Sequence, residues 1–248
     1  MKRVIIIGAT SGLGRETAKL FVENGWKVGI AGRREDLLCS FADEHPLAKV
    51  ECECIDVTEQ NATDALQRLI EKTGGMDLML LSSGIGYQNR NLVPETELAT
   101  VRTNCEGFTR IMDYAFNYFK SSIREGRVDH GHIAVISSIA GTKGLGAAPA
   151  YSATKRFQNT YIEALSQLAS IEGINVCFTD IRPGFVATAL LRDTRYPMLM
   201  DAPTVAHHIF RAIVRRKKVA VIDWRYAILV AFWRLIPRAL WIRLKVKN

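Results

Sequence analysis

Tyr151 and Lys155 stand four residues apart in the segment Tyr151-Ser152-Ala153-Thr154-Lys155, and on a helix that spacing stacks a phenol beside an ammonium. A neighbouring cation favours phenolate over phenol, which predicts a tyrosine pKa drawn down from about 10 and a side chain able to give or take a proton. Thirteen residues before Tyr151, the strand-like run 133–136 ends in Ser137 and Ser138. The Ser138 hydroxyl could hold a carbonyl oxygen beside the phenol. A third group opens the chain: the apolar residues 4–7 run directly into Gly8, Thr10, Ser11, Gly12, Leu13 and Gly14, then into the helix-like residues 15–24. A buried strand feeding a helix through glycines lets backbone N–H groups at the helix N-terminus approach a pyrophosphate closely.

The elements that must position these groups are legible from periodicity. Apolar runs predict strands near 3–7, 27–31, 50–55, 77–82, 132–137, 174–180 and 219–222. Between them, helical spacing predicts helices near 13–24, 35–44, 59–73, 96–122, 150–171 and 203–216. Alternating strands and helices mean a doubly wound parallel α/β sheet of about seven strands with helices on both faces. Residues 1–223 form one such domain, and residues 224–248 a basic amphipathic extension without a core of its own. In such sheets a ligand sits at the carboxyl ends of the strands, where the Gly8 turn, Ser83, Ser138 and Pro183 converge.

Taken together, these motifs resemble the short-chain dehydrogenase/reductase family over roughly residues 2–190. The resemblance implies a Rossmann fold with strand order 3-2-1-4-5-6-7, a nicotinamide cofactor, and a tetrad of Asn104, Ser138, Tyr151 and Lys155. Asn104 lies in Val101-Arg102-Thr103-Asn104-Cys105-Glu106-Gly107, close to the family's segment after the fourth strand. The Pro183-Gly184 turn matches the one after the sixth strand, with Val186 and Thr188 where the nicotinamide amide is held. By the same likeness Val57, Ser83 and Gly84 border the cofactor, Lys155 holds the nicotinamide ribose, and Asn104 anchors a water that relays protons through the lysine. Two departures stand out. Ile7 replaces a threonine, and Leu81-Ser82-Ser83-Gly84 replaces an Asn-Asn-Ala-Gly segment; both alter local bonding and leave the reacting groups in place.

Cofactor choice follows from the end of the second strand. Arg33 and Arg34 stand where an aspartate would bond a ribose 2′-hydroxyl, and their forked donors match a 2′-phosphate, which favours NADP(H) over NAD(H) with Arg33 ahead of Arg34. The alternative is a solvated pair balanced by Glu35 and Asp36. Asp56 either bonds the adenine amino group, as the resemblance implies, or caps the next helix.

Five cysteines with scattered spacing argue against a disulfide framework or a zinc site. His207 and His208 point in different directions around a helix and read as a surface pair, whereas His130 and His132 read as turn residues. Lys2 and Arg3 lead straight into the first strand, so no cleavable signal peptide is expected and a cytoplasmic location follows.

The net charge of +8 is a tail effect: residues 211–248 hold eleven basic side chains against Asp223 alone. From residue 226 to 233 the uncharged run is only eight long, far short of the roughly 20 that a spanning helix needs. Trp233, Ile236, Leu240 and Leu244 recur at helical spacing beside Arg234, Arg238 and Lys245, which suits peripheral contact with a membrane's cytoplasmic face. Packing on the domain or an oligomer contact is the competing reading, and mixing with bulky aliphatics argues against nucleic acid. The apolar stretch with Leu190, Leu191, Tyr196, Pro197, Met198, Leu199 and Met200 lies where a substrate lid would be. The expectation is an NADP(H)-dependent oxidoreductase that interconverts a hydrophobic ketone and its secondary alcohol as a homodimer or homotetramer. A non-catalytic NADP(H)-binding sensor or scaffold, docked through its tail, is the alternative.

Overall fold

In the computed structural model, residues 1–188, 196 and 198–244 are described. Seven parallel strands form one sheet: β1 (Arg3–Ile7), β2 (Lys27–Gly32), β3 (Val50–Cys54), β4 (Leu78–Leu81), β5 (Gly131–Ile136), β6 (Val176–Pro183) and β9 (Val219–Ile222). Their order is β3-β2-β1-β4-β5-β6-β9, with a short pair, β7 (Val186–Ala187) and β8 (Met200–Asp201), standing apart. This is the expected order, because β9 takes the seventh place once the short pair is set aside.

The sheet is apolar on both faces because both are covered, and alternate residues of each strand serve different cores. Ile5, Ile7, Met79, Leu81, Ile133 and Val135 pack under α3 (Ala62–Thr73), α5 (Phe108–Arg124) and α6 (Pro149–Ile171). Val4, Ile6, Leu78, Leu80, Ala134 and Ile136 face α1 (Gly12–Glu23), α2 (Glu35–Asp43) and α7 (Ala202–Val214). Ile7 is buried in the first core, where an apolar side chain suits its surroundings better than a hydroxyl.

Two elements depart from the sequence expectation. The predicted helix 96–122 is α4 (Pro94–Val101), a π-helical turn (Arg102–Gly107), then α5. A single wider turn is too short to stand out in a periodicity spread over residues 96–122, and such turns cluster at functional sites. His132 is a strand residue, not part of a turn: it is buried in β5 with Nε2 2.9 Å from the Thr179 hydroxyl. Burial lowers its pKa to about 4.

The chain after β9 folds back onto the domain as α8 (Trp224–Leu235) and α9 (Arg238–Trp241). Tyr226 and Val230 enter the second core. Pro237 ends the helical run, so the stripe expected from Trp233 to Leu244 is divided between two helices. Trp233 and Ile236 are half-buried and Leu240 and Leu244 exposed. Leu190, Leu191, Pro197 and residues 245–248 lie outside the described residues.

Candidate active site

At its mouth, the glycine loop is shaped by close backbone approach. Gly8 has φ +90°, and a Cβ there would collide with the Ser83 backbone. A Cβ on Gly14 would meet the Gly8 carbonyl oxygen. Gly12, at φ +58°, opens α1 beside the Thr188 methyl. Ser11, at the N-cap, makes no capping bond with its side chain; its hydroxyl accepts from Arg34 Nη2 at 2.7 Å, and the Thr10 hydroxyl accepts from the same nitrogen at 2.6 Å. The first-turn N–H groups of a twelve-residue helix are thereby left for an anion. Leu13 packs half-buried against the second core.

Arg33 and Arg34 part company in space. Arg34 is docked on the loop, whereas the Arg33 guanidinium stands in solvent 3.9 Å from the Asp56 carboxylate. Asp56 Oδ1 accepts from both the Thr58 N–H and the Thr58 hydroxyl. It therefore pins a turn ahead of α3 instead of capping that helix, whose N-cap is Asn61. Val57 is buried against Gly107 of the π-helical turn. The glycine cradle and an anion-ready helix end fit the pyrophosphate of a dinucleotide.

Beneath the loop after β4, the four candidate side chains Asn104, Ser138, Tyr151 and Lys155 come together. Asn104, fully buried in the π-helical turn, accepts from the Ile85 N–H at 2.9 Å and donates to the Ile85 carbonyl at 2.7 Å. It also donates to the Thr154 hydroxyl. A Cβ on Gly84 would lie 3.2 Å from Asn104 Oδ1 and 3.5 Å from Lys155 Nζ, so glycine keeps the passage between them open. Ser138, two residues past β5, caps a short 3-10 turn with its Oγ accepting from the Ala140 N–H, and the Tyr151 ring lies against Gly86.

The electrostatics differ from the sequence expectation. Burial pushes the Tyr151 phenol above its ordinary pKa, and the opposing influence is a hydrogen bond with Ser138, not the lysine. Lys155 Nζ sits 5.8 Å from the Tyr151 ring centroid and donates to the Ile136 carbonyl and to Gln158 Oε1. Burial lowers this ammonium to about 8, while the Asp180 carboxylate and Cys105 pull the other way.

Gln158 was not among the candidates, yet it joins two of them. Its Oε1 accepts from Lys155 Nζ at 3.0 Å and its Nε2 donates to the Asn104 carbonyl at 3.0 Å. The amide thus bridges the Asn104 backbone and the lysine. Its spacing, three residues past Lys155 on one helix face, was the available signal. Asp180 was missed too, although a carboxylate in an apolar central strand is a signal in itself. It is held by Arg182 at 2.6 Å, by Asn159 at 2.9 Å and by Ser137.

The apolar surroundings of Tyr151 come from distant segments. Tyr151 joins a cluster with Ala140, Leu145, Trp233, Ile236 and Trp241. Trp241 Nε1 donates to the Gly144 carbonyl at 2.8 Å, and Lys143 Nζ to the Ile236 carbonyl at 2.8 Å. Beyond Pro183, the Tyr226 ring lies against Gly184, and its hydroxyl accepts from the Phe185 N–H and donates to the Met198 carbonyl. Phe185 stacks on Tyr196 at 4.4 Å, and Val186 is buried in β7.

A family model described as short chain dehydrogenase matches residues 2–198. An uncharacterized oxidoreductase of Myxococcus xanthus is 31% identical over 246 residues, covering 96% of this chain and 94% of that protein. The dehydrogenase/reductase SDR family member 7B of Xenopus tropicalis is 29% identical, over 94% of this chain and 81% of its own length. Among solved structures, a 3-ketoacyl-(acyl-carrier-protein) reductase from Brucella melitensis complexed with NADH superposes with a TM-score of 0.78 at 23% identity, covering 90% of this chain and 96% of that one. An alcohol dehydrogenase from Thermococcus sibiricus complexed with 5-hydroxy-NADP gives 0.76 at 22% identity, over 90% and 95% of the two chains.

Proposed function

As the chain belongs to the short-chain dehydrogenase family and is an oxidoreductase with an NAD(P)-binding Rossmann fold, we propose that it reduces a hydrophobic, lipid-like ketone to the secondary alcohol with NADPH. The observation that carries this reading is the Tyr151 ring, 5.8 Å from the buried Lys155 ammonium and set at the edge of an apolar cluster. A phenol beside an ammonium can give its proton to a developing alkoxide, because the cation stabilises the phenolate left behind.

In this reading Ser138 donates a hydrogen bond to the ketone oxygen, and Tyr151 protonates that oxygen as alkoxide character develops. A bound nicotinamide supplies the hydride. Lys155, mostly charged below about pH 8, stabilises the phenolate left on Tyr151. Gln158 holds the lysine in place and is itself anchored by the Asn104 carbonyl. Arg34, with Arg33 beside it, holds the 2′-phosphate, and β2 is followed by these arginines instead of an aspartate. Leu145, Trp241, Phe185 and Tyr196 line the substrate's apolar part, which favours a long-chain, sphingoid-like or steroid-like ketone over a sugar.

NADPH consumption with a panel of lipid ketones tests this. Turnover by the wild type, lost by about 10²–10⁴-fold in Tyr151→Phe with NADPH binding retained, is the expected result. Tight NADPH binding with no turnover on any ketone would replace the reductase by a nucleotide-binding sensor.

A further inference from the structure

Outside the cleft, the outer face of α8 stands uncovered. At about 100° per residue, Trp224, Ala227, Ile228, Ala231, Phe232 and Leu235 fall within an arc of roughly 140° on that helix. Trp224 is 70% exposed, Phe232 64% and Leu235 78%. The opposite side is already spent on the domain, where Tyr226 and Val230 are buried and Trp233 half-buried. Leu240 and Ile242 continue the bare surface past Pro237. Arg225 and Arg234 flank the arc, one on each side. This is the reverse of a solvated helix, which turns its polar side outward.

We propose that this face docks on an anionic lipid surface, with α8 lying in the plane of the interface. Charge selects that occupant. Residues 224–248 carry six basic side chains and no acidic one, and among the described residues Arg234, Arg238 and Arg243 have no ion-pair partner. A second copy meeting this face isologously would set one basic surface against another. Headgroup phosphates complement them, while tryptophan and aliphatic side chains suit the boundary beneath. No helix among the described residues is long and apolar enough to cross a membrane. Trp233 and Trp241, on the inner side of these helices, belong to the cluster that includes Tyr151, so docking brings the cleft to the lipid surface.

Flotation of the full chain tests the docking without substrate, and its failure leaves the proposed reduction standing. The protein should float with vesicles of phosphatidylcholine and phosphatidylglycerol, less with phosphatidylcholine alone, and less as salt rises. Replacing Arg234 and Arg238 by Gln should weaken binding by about fivefold per charge. The double change Phe232→Glu, Leu235→Glu should abolish it, with an unchanged melting midpoint and NADPH affinity excluding misfolding as the cause. Wild-type protein that stays unbound to both vesicles, or binding that survives the double change, overturns the proposal. A dimer that the double change converts to monomer, without flotation of either form, assigns the face to a second copy instead.

Discussion

At the nucleotide end of the cleft, Gly8, Gly12 and Gly14 act within seven consecutive residues, and the shape is made of backbone meeting backbone. At the opposite end, Leu145, Tyr151 and Trp241 come from three separate segments and meet as side chains. The first arrangement is local and tolerates almost no added volume. The second depends on the chain after β9 returning to the domain, so residues far from the chemistry hold its shape. A glycine cradle should therefore fail by losing its ligand, and the assembled wall should fail by losing stability.

Tyr226 tests the wall most severely. Its ring fills the space above Gly184 and its hydroxyl ties Phe185 to Met198, so Tyr226→Ala should cost about 3–5 kcal/mol in a urea titration. A loss near zero would show that the returning helix contributes little to the fold. Gly14→Ala is the matching test of the cradle. Overpacking against the Gly8 carbonyl, worth about 1–3 kcal/mol, should weaken NADPH binding by roughly tenfold to a hundredfold in a fluorescence titration. Normal affinity would mean that the loop can widen.

Arg34→Ala should weaken NADPH by about tenfold and leave NADH nearly unchanged, since only the 2′-phosphate is lost as a partner. Equal weakening of both would assign Arg34 to holding the loop through Thr10 and Ser11. The smallest effect is expected of Gln158→Leu. Its Oε1 accepts from the Lys155 ammonium and so favours the charged form. Without it the lysine titrates below its present value of about 8, and the alkaline fall in kcat/KM should move to lower pH while the melting midpoint changes little. An unmoved pH profile would make Gln158 a packing residue only.

The fold was legible because its evidence is local. Strand and helix periods, the glycine turn and the order of motifs all survive in one dimension, and the sheet formed in the expected order. Much of the candidate site was legible for the same reason, as Tyr151 and Lys155 lie on one helix and Ser138 follows a strand by two residues. What escaped lay in the third dimension. The lysine near Tyr151 did not dictate the phenol's pKa, because burial acts on it more strongly. Arg33 and Arg34 are adjacent letters, yet β2 ends so that only the second reaches the glycine loop. The stripe read from Trp233 to Leu244 was the wrong one, because Pro237 divides it and Tyr226, Val230 and Trp241 are drawn into the domain.

Sequence alone therefore determined which elements form, in what order they pair and which reactive side chains are present, since these depend on periods and neighbours along the chain. Only the tertiary structure decided which side of α8 is left bare, which arginine is docked and which amide bridges Asn104 to Lys155. Those outcomes depend on what lies opposite each side chain across the fold, and burial and hydrogen bonding act over distances that the order of residues does not record.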